Sequence, residues 1–501
     1  RLFLYFEGVN SAAQVFMNRR TVGEHLGGYT AFCIEITDEV KEGENLLEVW
    51  ASNAYRTDIL PVSGDFNVNG GIHRPCHLIV TGQDCISPLF YASPGVFIHQ
   101  ENISKTVADV NVETHLSLKN KKQGLRLKTT VADADNKTVA SNEVEVSDVI
   151  VKQPMKIHRP ILWDGKKNPY LYTVTVELYD GNLLKDRMVQ RTGFRYFSVD
   201  HEKGFFLNGE YLNLYGFCRH EDHPMYGCAL PVSAIEQDLQ IAKDLGANSI
   251  RTSHYPNDEI FLDLCDEQGI LVWEENHARG LVLEQMQNPN FEPQAEACIR
   301  EMITAHINHP CIIIWGILNE CASDTEYGYE CYKKQYDLIR KLDTSRPRSS
   351  ASCRFKTDIC FGLPEIVSYN LYPEWYHDTP ANEYVPDIYN WVQTGSEGAG
   401  KPFLVTEIGA GAIYGYRNQS MCKWTEEYQA KALGDQITAV LDQEGCSGIY
   451  IWQFCDVRIS NEWFSNRPRT MNNKGIVDEY RRRKLSYDVV KKLYHSYSDF
   501  R

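Results

Sequence analysis

The sequence predicts a multidomain chain of β plus α/β class, in which two β-rich parts precede a (β/α)8 barrel. Three observations carry this prediction. The length of 501 residues exceeds what one ordinary domain holds. Up to residue 198, short alternating runs are split by turn signals, as in β-sandwiches. From residue 199 onward the rhythm changes to strand, helix, strand, with eight candidate strands in about 300 residues.

The first part, residues 1–97, is punctuated by Gly27-Gly28, Lys41-Glu42-Gly43-Glu44-Asn45 and Asn69-Gly70-Gly71. It opens on Arg1-Leu2-Phe3-Leu4-Tyr5-Phe6, which reads as a strand already under way, so an N-terminally incomplete unit is expected. In residues 98–198 the runs 107–114, 125–131 and 172–178 alternate inward and outward, as strands with one buried face do. The third part, 199–501, has candidate strands at 211–220, 249–254, 270–276, 311–320, 348–353, 366–372, 403–409 and 448–456. Helical patterns at 232–245, 292–307, 326–342 and 426–442 lie between them. A doubly wound sheet would need a Gly-rich phosphate turn after its first strand, and none is present.

Composition excludes several classes. A net charge of −16 opposes nucleic acid or an anionic membrane as the main partner. No apolar run reaches the roughly 18 residues of a membrane span. The 15 cysteines are odd in number, form no CxxC pair and lie partly inside apolar strands, as Cys311 and Cys455 do. They read as buried thiols in a reducing compartment, which predicts a cytoplasmic protein.

In a barrel, chemistry gathers at the C-terminal ends of the strands. Those ends carry Arg219-His220, His254, Glu274-Glu275-Asn276, Asn319-Glu320, Asn370 with Tyr372, Glu407, and Trp452 with Asp456. Glu320 and Glu407 close near-continuous apolar runs, where desolvating a carboxylate costs free energy that a function must justify. Two such carboxylates in one barrel suit acid/base work on a glycosidic bond. His220 and His254 lack a spaced carboxylate or thiolate partner, so no metal site is read from them.

Taken together, these motifs resemble glycoside hydrolase family 2, and within it the β-glucuronidases of gut bacteria. Phe6-Glu7-Gly8-Val9, Gly23-Glu24-His25-Leu26-Gly27-Gly28-Tyr29 and Gly71-Ile72-His73-Arg74-Pro75 are similar to the signatures of its N-terminal domain. Gly216-Phe217-Cys218-Arg219-His220-Glu221-Asp222 and Arg251-Thr252-Ser253-His254-Tyr255-Pro256 resemble its first two barrel strands. The resemblance spans the chain and implies a partial jelly-roll-like sugar-binding domain (1–97), an immunoglobulin-like β-sandwich (98–198) and a catalytic TIM barrel (199–501).

The resemblance also implies roles. Glu320, after Asn319, would be the general acid/base and Glu407 the nucleophile of a retaining hydrolase; sequence alone does not rank the two. Such a mechanism wants its carboxyls about 5–5.5 Å apart. Asn319 would hydrogen-bond a sugar hydroxyl. Asn472 and Lys474, in Met471-Asn472-Asn473-Lys474-Gly475-Ile476, match the Asn-x-Lys motif that holds the substrate's C6 carboxylate. Physically, Lys474 would supply a cation and Asn472 a neutral donor. Asp65 would reach the sugar from the N-terminal domain, Tyr372 would lie by the nucleophile, Trp452 would floor the pocket, and His220 and His254 would order it. Trp375 and Tyr376 are expected on the aglycone side, while the nearby Arg467 and Arg469 receive no role. Residue 408 is Ile where relatives carry Tyr or Phe, which is expected to alter packing and not the reaction.

The expected substrate is a small-molecule or oligosaccharide β-glucuronide. Rival readings are β-galacturonidase, β-galactosidase, or a non-catalytic carbohydrate-binding protein. No cofactor is required for the family reaction, although some relatives bind flavin mononucleotide. The resemblance also implies a homo-oligomer of bacterial origin. A short 280–293 stretch predicts an open aglycone side.

Overall fold

The computed structural model describes residues 1–61, 64–120, 124–201, 203–459 and 467–499. The N-terminal part is a small sandwich of two three-stranded antiparallel sheets. Leu2–Phe6 runs between Phe32–Glu35 and Cys76–Val80 in one, and Ala12–Met17 between Arg20–Leu26 and Leu47–Ser52 in the other. The strict alternation of Ala12–Met17 puts Ala13, Val15 and Met17 against Leu4, Phe6 and Phe32. Among the described residues, 53–61 and 64–70 hold no strand, and Asp65 lies at the mouth of the barrel beside Asn472.

The second part is a two-sheet sandwich. Val107–Leu118 pairs with Val96–Glu101, Ile150–His158 and the short Asp84–Ile86, while Leu125–Ala132 and Tyr172–Asp180 form the centre of the facing sheet. Inward residues such as Val110, Val112, Leu127, Val131, Val174 and Val176 form its core.

The barrel strands are β1 Leu214–Cys218, β2 Ser249–Thr252, β3 Leu271–Glu275, β4 Ile312–Gly316, β5 in two pieces (Arg348–Ser349 and Ala351–Ser352), β6 Val367–Asn370, β7 Phe403–Ile408 and β8 Cys446–Ile451. All neighbours pair in parallel, and β8 pairs with both β7 and β1. The ring closes through β5, whose first piece pairs with β4 and whose second pairs with β6. Helices of apolar 3.6-residue periodicity cover it. In Val232–Leu245, for example, Ala234, Ile235, Leu239, Ala242 and Leu245 face inward, and Gly246 at φ 82° ends the helix.

Strand bounds differ from the sequence reading in several places: the run 448–456 is strand only to Ile451 and 366–372 only to Asn370, and two further differences bear on the site. Tyr211 belongs not to the first barrel strand but to a separate hairpin, Gly204–Leu207 with Glu210–Leu212. Asn208-Gly209 turns that hairpin with both φ positive, 52° and 83°, as a two-residue type I′ turn requires. The run 311–320 is strand only over β4, to Gly316. Its last residues leave the ladder, and Leu318 (φ 48°) and Glu320 (φ 55°) adopt left-handed backbone that non-glycine residues rarely take.

Candidate active site

The C-terminal ends of the strands converge on one buried polar network. Glu407, near the end of β7, is 4% exposed. The Arg251 guanidinium from β2 donates to its Oε1 at 2.9 Å, and the Tyr372 hydroxyl to its Oε2 at 2.7 Å. Arg251 also grips both oxygens of Glu275, at 2.9 Å each, and donates to Asn319 Oδ1 at 2.8 Å. Asn370 Nδ2 then donates to Glu320 Oε1 (3.0 Å) and Asn319 Oδ1 (3.2 Å). One chain of hydrogen bonds thus runs from Glu407 through Arg251, Asn319 and Asn370 to Glu320.

The strand pleat decides which strand-end residues take part. Glu275 faces the barrel axis, whereas its neighbour Glu274 points outward to His306 on the covering helix, at 3.0 Å. Arg219 likewise turns away, to Asp238 and Asn257.

Burial, ahead of the charge on Glu320, pushes the Glu407 carboxyl up to about 7, while Arg251 and Tyr372 pull it back. Burial and the Arg251 charge drive His254 far below the usual imidazole range, so its ring is neutral. Its Nδ1 lies 2.7 Å from Glu275 Oε1, which assigns the proton to Nδ1 and leaves Nε2 as an acceptor, 3.8 Å from Glu407. The His254 ring stacks on Trp452 (4.9 Å between centroids), and His220 meets the same indole edge-on at 5.4 Å. His220 is neutral for the same reason, burial first.

The other end of the pocket gathers Asp65, Asn472 and Lys474. Asp65 Oδ2 accepts from Asn472 Nδ2 (2.9 Å) and from Arg467 (2.7 Å). The Tyr376 hydroxyl accepts from Lys474 Nζ at 2.8 Å and from Arg467 at 3.0 Å. Lys474 Nζ lies 5.0 Å from the Tyr376 ring and 5.7 Å from that of Tyr372. Tyr372 therefore links the ends, with its ring by the ammonium and its hydroxyl on Glu407. Asp65, Asn472 and Lys474 are all at least 96% buried. Among the described residues, no carboxylate pairs with Lys474.

The structure brings together all ten residues singled out from the sequence. It moves Tyr376 from the expected aglycone side to the Lys474 cluster, because its hydroxyl bridges two cations; Trp375 is buried against Trp424. Arg467, given no role from sequence, joins the site, whereas Arg469 is exposed. Arg279 was missed entirely: its guanidinium stands 3.8 Å from Glu320 Oε2. It lies in the loop after β3 and reaches the site through an isolated bridge to Asn319, a contact with no local sequence signal. Arg251 stands in the motif Arg251-Thr252-Ser253-His254 without a role read from sequence, and its strand, Ser249–Thr252, is buried throughout.

The buried polar atoms without a partner among the described residues include Asp65 Oδ1, Asn319 Nδ2 and His220 Nε2. Buried polar groups are rarely left so, and these three suit the hydroxyls of a sugar ring. Paired carboxyls, neutral donors, an indole floor and a buried ammonium make a site for cleaving an anionic glycoside.

Sequence comparison agrees. The profile for the glycosyl hydrolases family 2 TIM barrel domain matches residues 198–498, that for glycosyl hydrolases family 2 matches 94–195, and that for its sugar binding domain matches 1–82. The chain belongs to glycosyl hydrolase family 2, and it is a glycoside hydrolase. A β-glucuronidase of Bacteroides fragilis is 35% identical over 499 residues, covering 95% of this chain and 70% of the relative. A family 2 β-galacturonidase from Eisenbergiella tayi, bound to galacturonate, superposes with a TM-score of 0.90 at 50% identity, over 99% of this chain and 87% of that one. β-Glucuronidase 2 of Bacteroides uniformis, covalently bound to cyclophellitol-6-carboxylate aziridine, is 28% identical with a TM-score of 0.89, over 98% and 61%.

Proposed function

We propose that this family 2 hydrolase is a retaining exo-β-glucuronidase, with Glu407 as nucleophile and Glu320 as acid/base. The observation that carries the substrate is Lys474, an ammonium 2% exposed, without a carboxylate partner among the described residues and joined to the nucleophile through Tyr372. A buried cation so placed calls for an anion on the substrate about one sugar ring from the reacting carbon.

Glu407 attacks C1 of the glucuronide while Glu320 gives its proton to the glycosidic oxygen, and the aglycone leaves as an alcohol. Glu320, now ionised, takes a proton from water, whose oxygen attacks C1 and frees Glu407. Arg251 and Tyr372 favour charge on Glu407, the form that attacks. Asn370 holds Glu320 for that transfer, and Asn319 Nδ2 and His220 Nε2 are free to orient ring hydroxyls.

A second reading, β-galacturonidase, is favoured by the 50% identity to the Eisenbergiella tayi enzyme. The same carboxylate site serves both epimers, which differ at C4. Assaying aryl β-glucuronide, β-galacturonide and β-galactoside side by side tests both readings. Preference for glucuronide supports the first, preference for galacturonide the second, and preference for galactoside refutes the uronate site. A homo-oligomer completes the proposal, as does a reducing cytoplasm, the latter supported by 15 free thiols. Light scattering and cell fractionation check it.

A further inference from the structure

The segment that carries Lys474 is held from below by a buried ion pair. Four successive carbonyls, from Asn472 to Gly475, each accept a hydrogen bond from outside the segment. Gln453 Nε2 donates to Asn472 O at 3.3 Å, and the Gln453 N–H to Lys474 O at 3.1 Å. The Ala412 N–H and the Lys484 ammonium both donate to Asn473 O, at 2.8 and 3.1 Å, and Gln429 Nε2 donates to Gly475 O at 3.0 Å. Asp456 Oδ1 accepts from the Gly475 N–H at 2.9 Å and from Lys484 Nζ at 2.7 Å.

Lys484 is the hub. Its three N–H donors go to Asn473 O, Asp456 Oδ1 and Ala412 O, the last at 2.7 Å, so none is left for a ligand. Lys484 and Asp456 are 2% and 3% exposed. Gly475 sits so close that a Cβ there would stand 2.3 Å from both Asp456 N and Val477 O. A buried ion pair is a poor way to gain stability, since an apolar pair of similar volume often does as well. What an apolar pair cannot do is tie three oxygens from three different segments to one point.

We propose that the Asp456–Lys484 pair is a positioning element that touches no substrate and sets the selectivity for uronides by fixing the Asn472–Gly475 segment, so that the Lys474 ammonium meets the sugar's carboxylate. The inference rests on the uronate reading of the site. The bonds that hold Glu407, from Arg251 and Tyr372, do not pass through this segment, so the two ends of the pocket respond separately to loss of the pair.

The test compares Lys484→Met with the double variant Asp456→Asn/Lys484→Met, which leaves no unpaired buried charge and serves if the single variant does not fold. kcat and KM are measured for 4-nitrophenyl β-D-glucuronide and for the matched β-D-glucoside. The glucuronide kcat/KM should fall by about 10²-fold, the cost of an ångström-scale misplacement, mostly through KM. The glucoside value should hold, so that the preference collapses, and Lys484→Arg should restore part of it. Equal losses on both substrates, or an unchanged glucuronide rate, would overturn the positioning role. A wild type without preference for glucuronide over glucoside would instead overturn the uronate reading itself.

Discussion

Glu407 and Lys474 stand at the two ends of one pocket, joined by Tyr372, yet they are held in opposite ways. Glu407 sits inside β7, six residues that are all buried, and side chains from other barrel elements hold its carboxylate. Lys474 follows the two-residue strand Met471–Asn472 and depends on bonds to its own segment's backbone and on Asp65 from the N-terminal sandwich. The reacting end is thus part of the barrel's strand framework, whereas the sugar-reading end is an attachment to it. Such a division lets a loop change the substrate while the reaction stays, as a barrel with chemistry at its strand ends allows.

The largest expected effect lies at the reacting end. Glu407→Ala should lower kcat by about 10⁴-fold or more on every glycoside accepted, because the covalent step is lost. Retention of turnover would dissolve the contrast. Next comes Arg251→Met, which strips Glu407 and Glu275 of their shared cation. We expect a loss of about 3–5 kcal/mol in folding stability, the range for breaking a buried ion pair, together with a fall in kcat on all substrates. Thermal melts and initial rates check both.

At the reading end, Lys474→Ala should cost the uronide about 2–3 kcal/mol in kcat/KM for a lost charge-assisted contact, and the neutral glycoside little. Equal losses would mean that the two ends are not separable. The pH dependence sharpens the same point. The folded Glu407 carboxyl titrates near 7, above its usual value, so the folded state holds the proton more tightly than the unfolded one. Stability therefore falls as pH rises from the ordinary carboxyl range through 7. Glu407→Gln should melt higher than wild type at pH 8 and equally at pH 4, by up to about 3 kcal/mol at about 1.4 kcal/mol per pKa unit. Wild-type kcat/KM should rise with pH up to about 7 as Glu407 ionises. The smallest effect is expected for Asp65→Asn, a modest rise in the uronide KM of about 1 kcal/mol through the lost grip on Asn472 and Arg467.

The barrel was legible because its strands are apolar runs and its helices keep a 3.6-residue period, both local properties. Val232–Leu245 and Glu326–Leu342 were read to the residue. The strand ends blurred where apolar sequence continues past the ladder: Ile317 and Leu318 look like strand, yet β4 stops at Gly316. The Asn208-Gly209 hairpin was overlooked, although both positions carry the residues that a type I′ turn needs.

In the site, the two glutamates were visible as carboxylates that apolar runs should not tolerate. Lys474 had to be read through its family, because one lysine in a polar loop has no local signature. Arg279 and Arg467 had none at all, since their partners Glu320 and Asp65 lie 41 and 402 residues away. By itself, then, the sequence determined most of the elements and the strand-end carboxylates, which follow from local patterning, and its motifs carried the resemblance to the family. Only the tertiary structure decided which strand-end groups face inward, which cations attend Glu320, Glu407 and Asp65, and what holds Lys474 in place. Those are long-range contacts between loops, and a side chain's partner across the barrel leaves no periodicity in the chain.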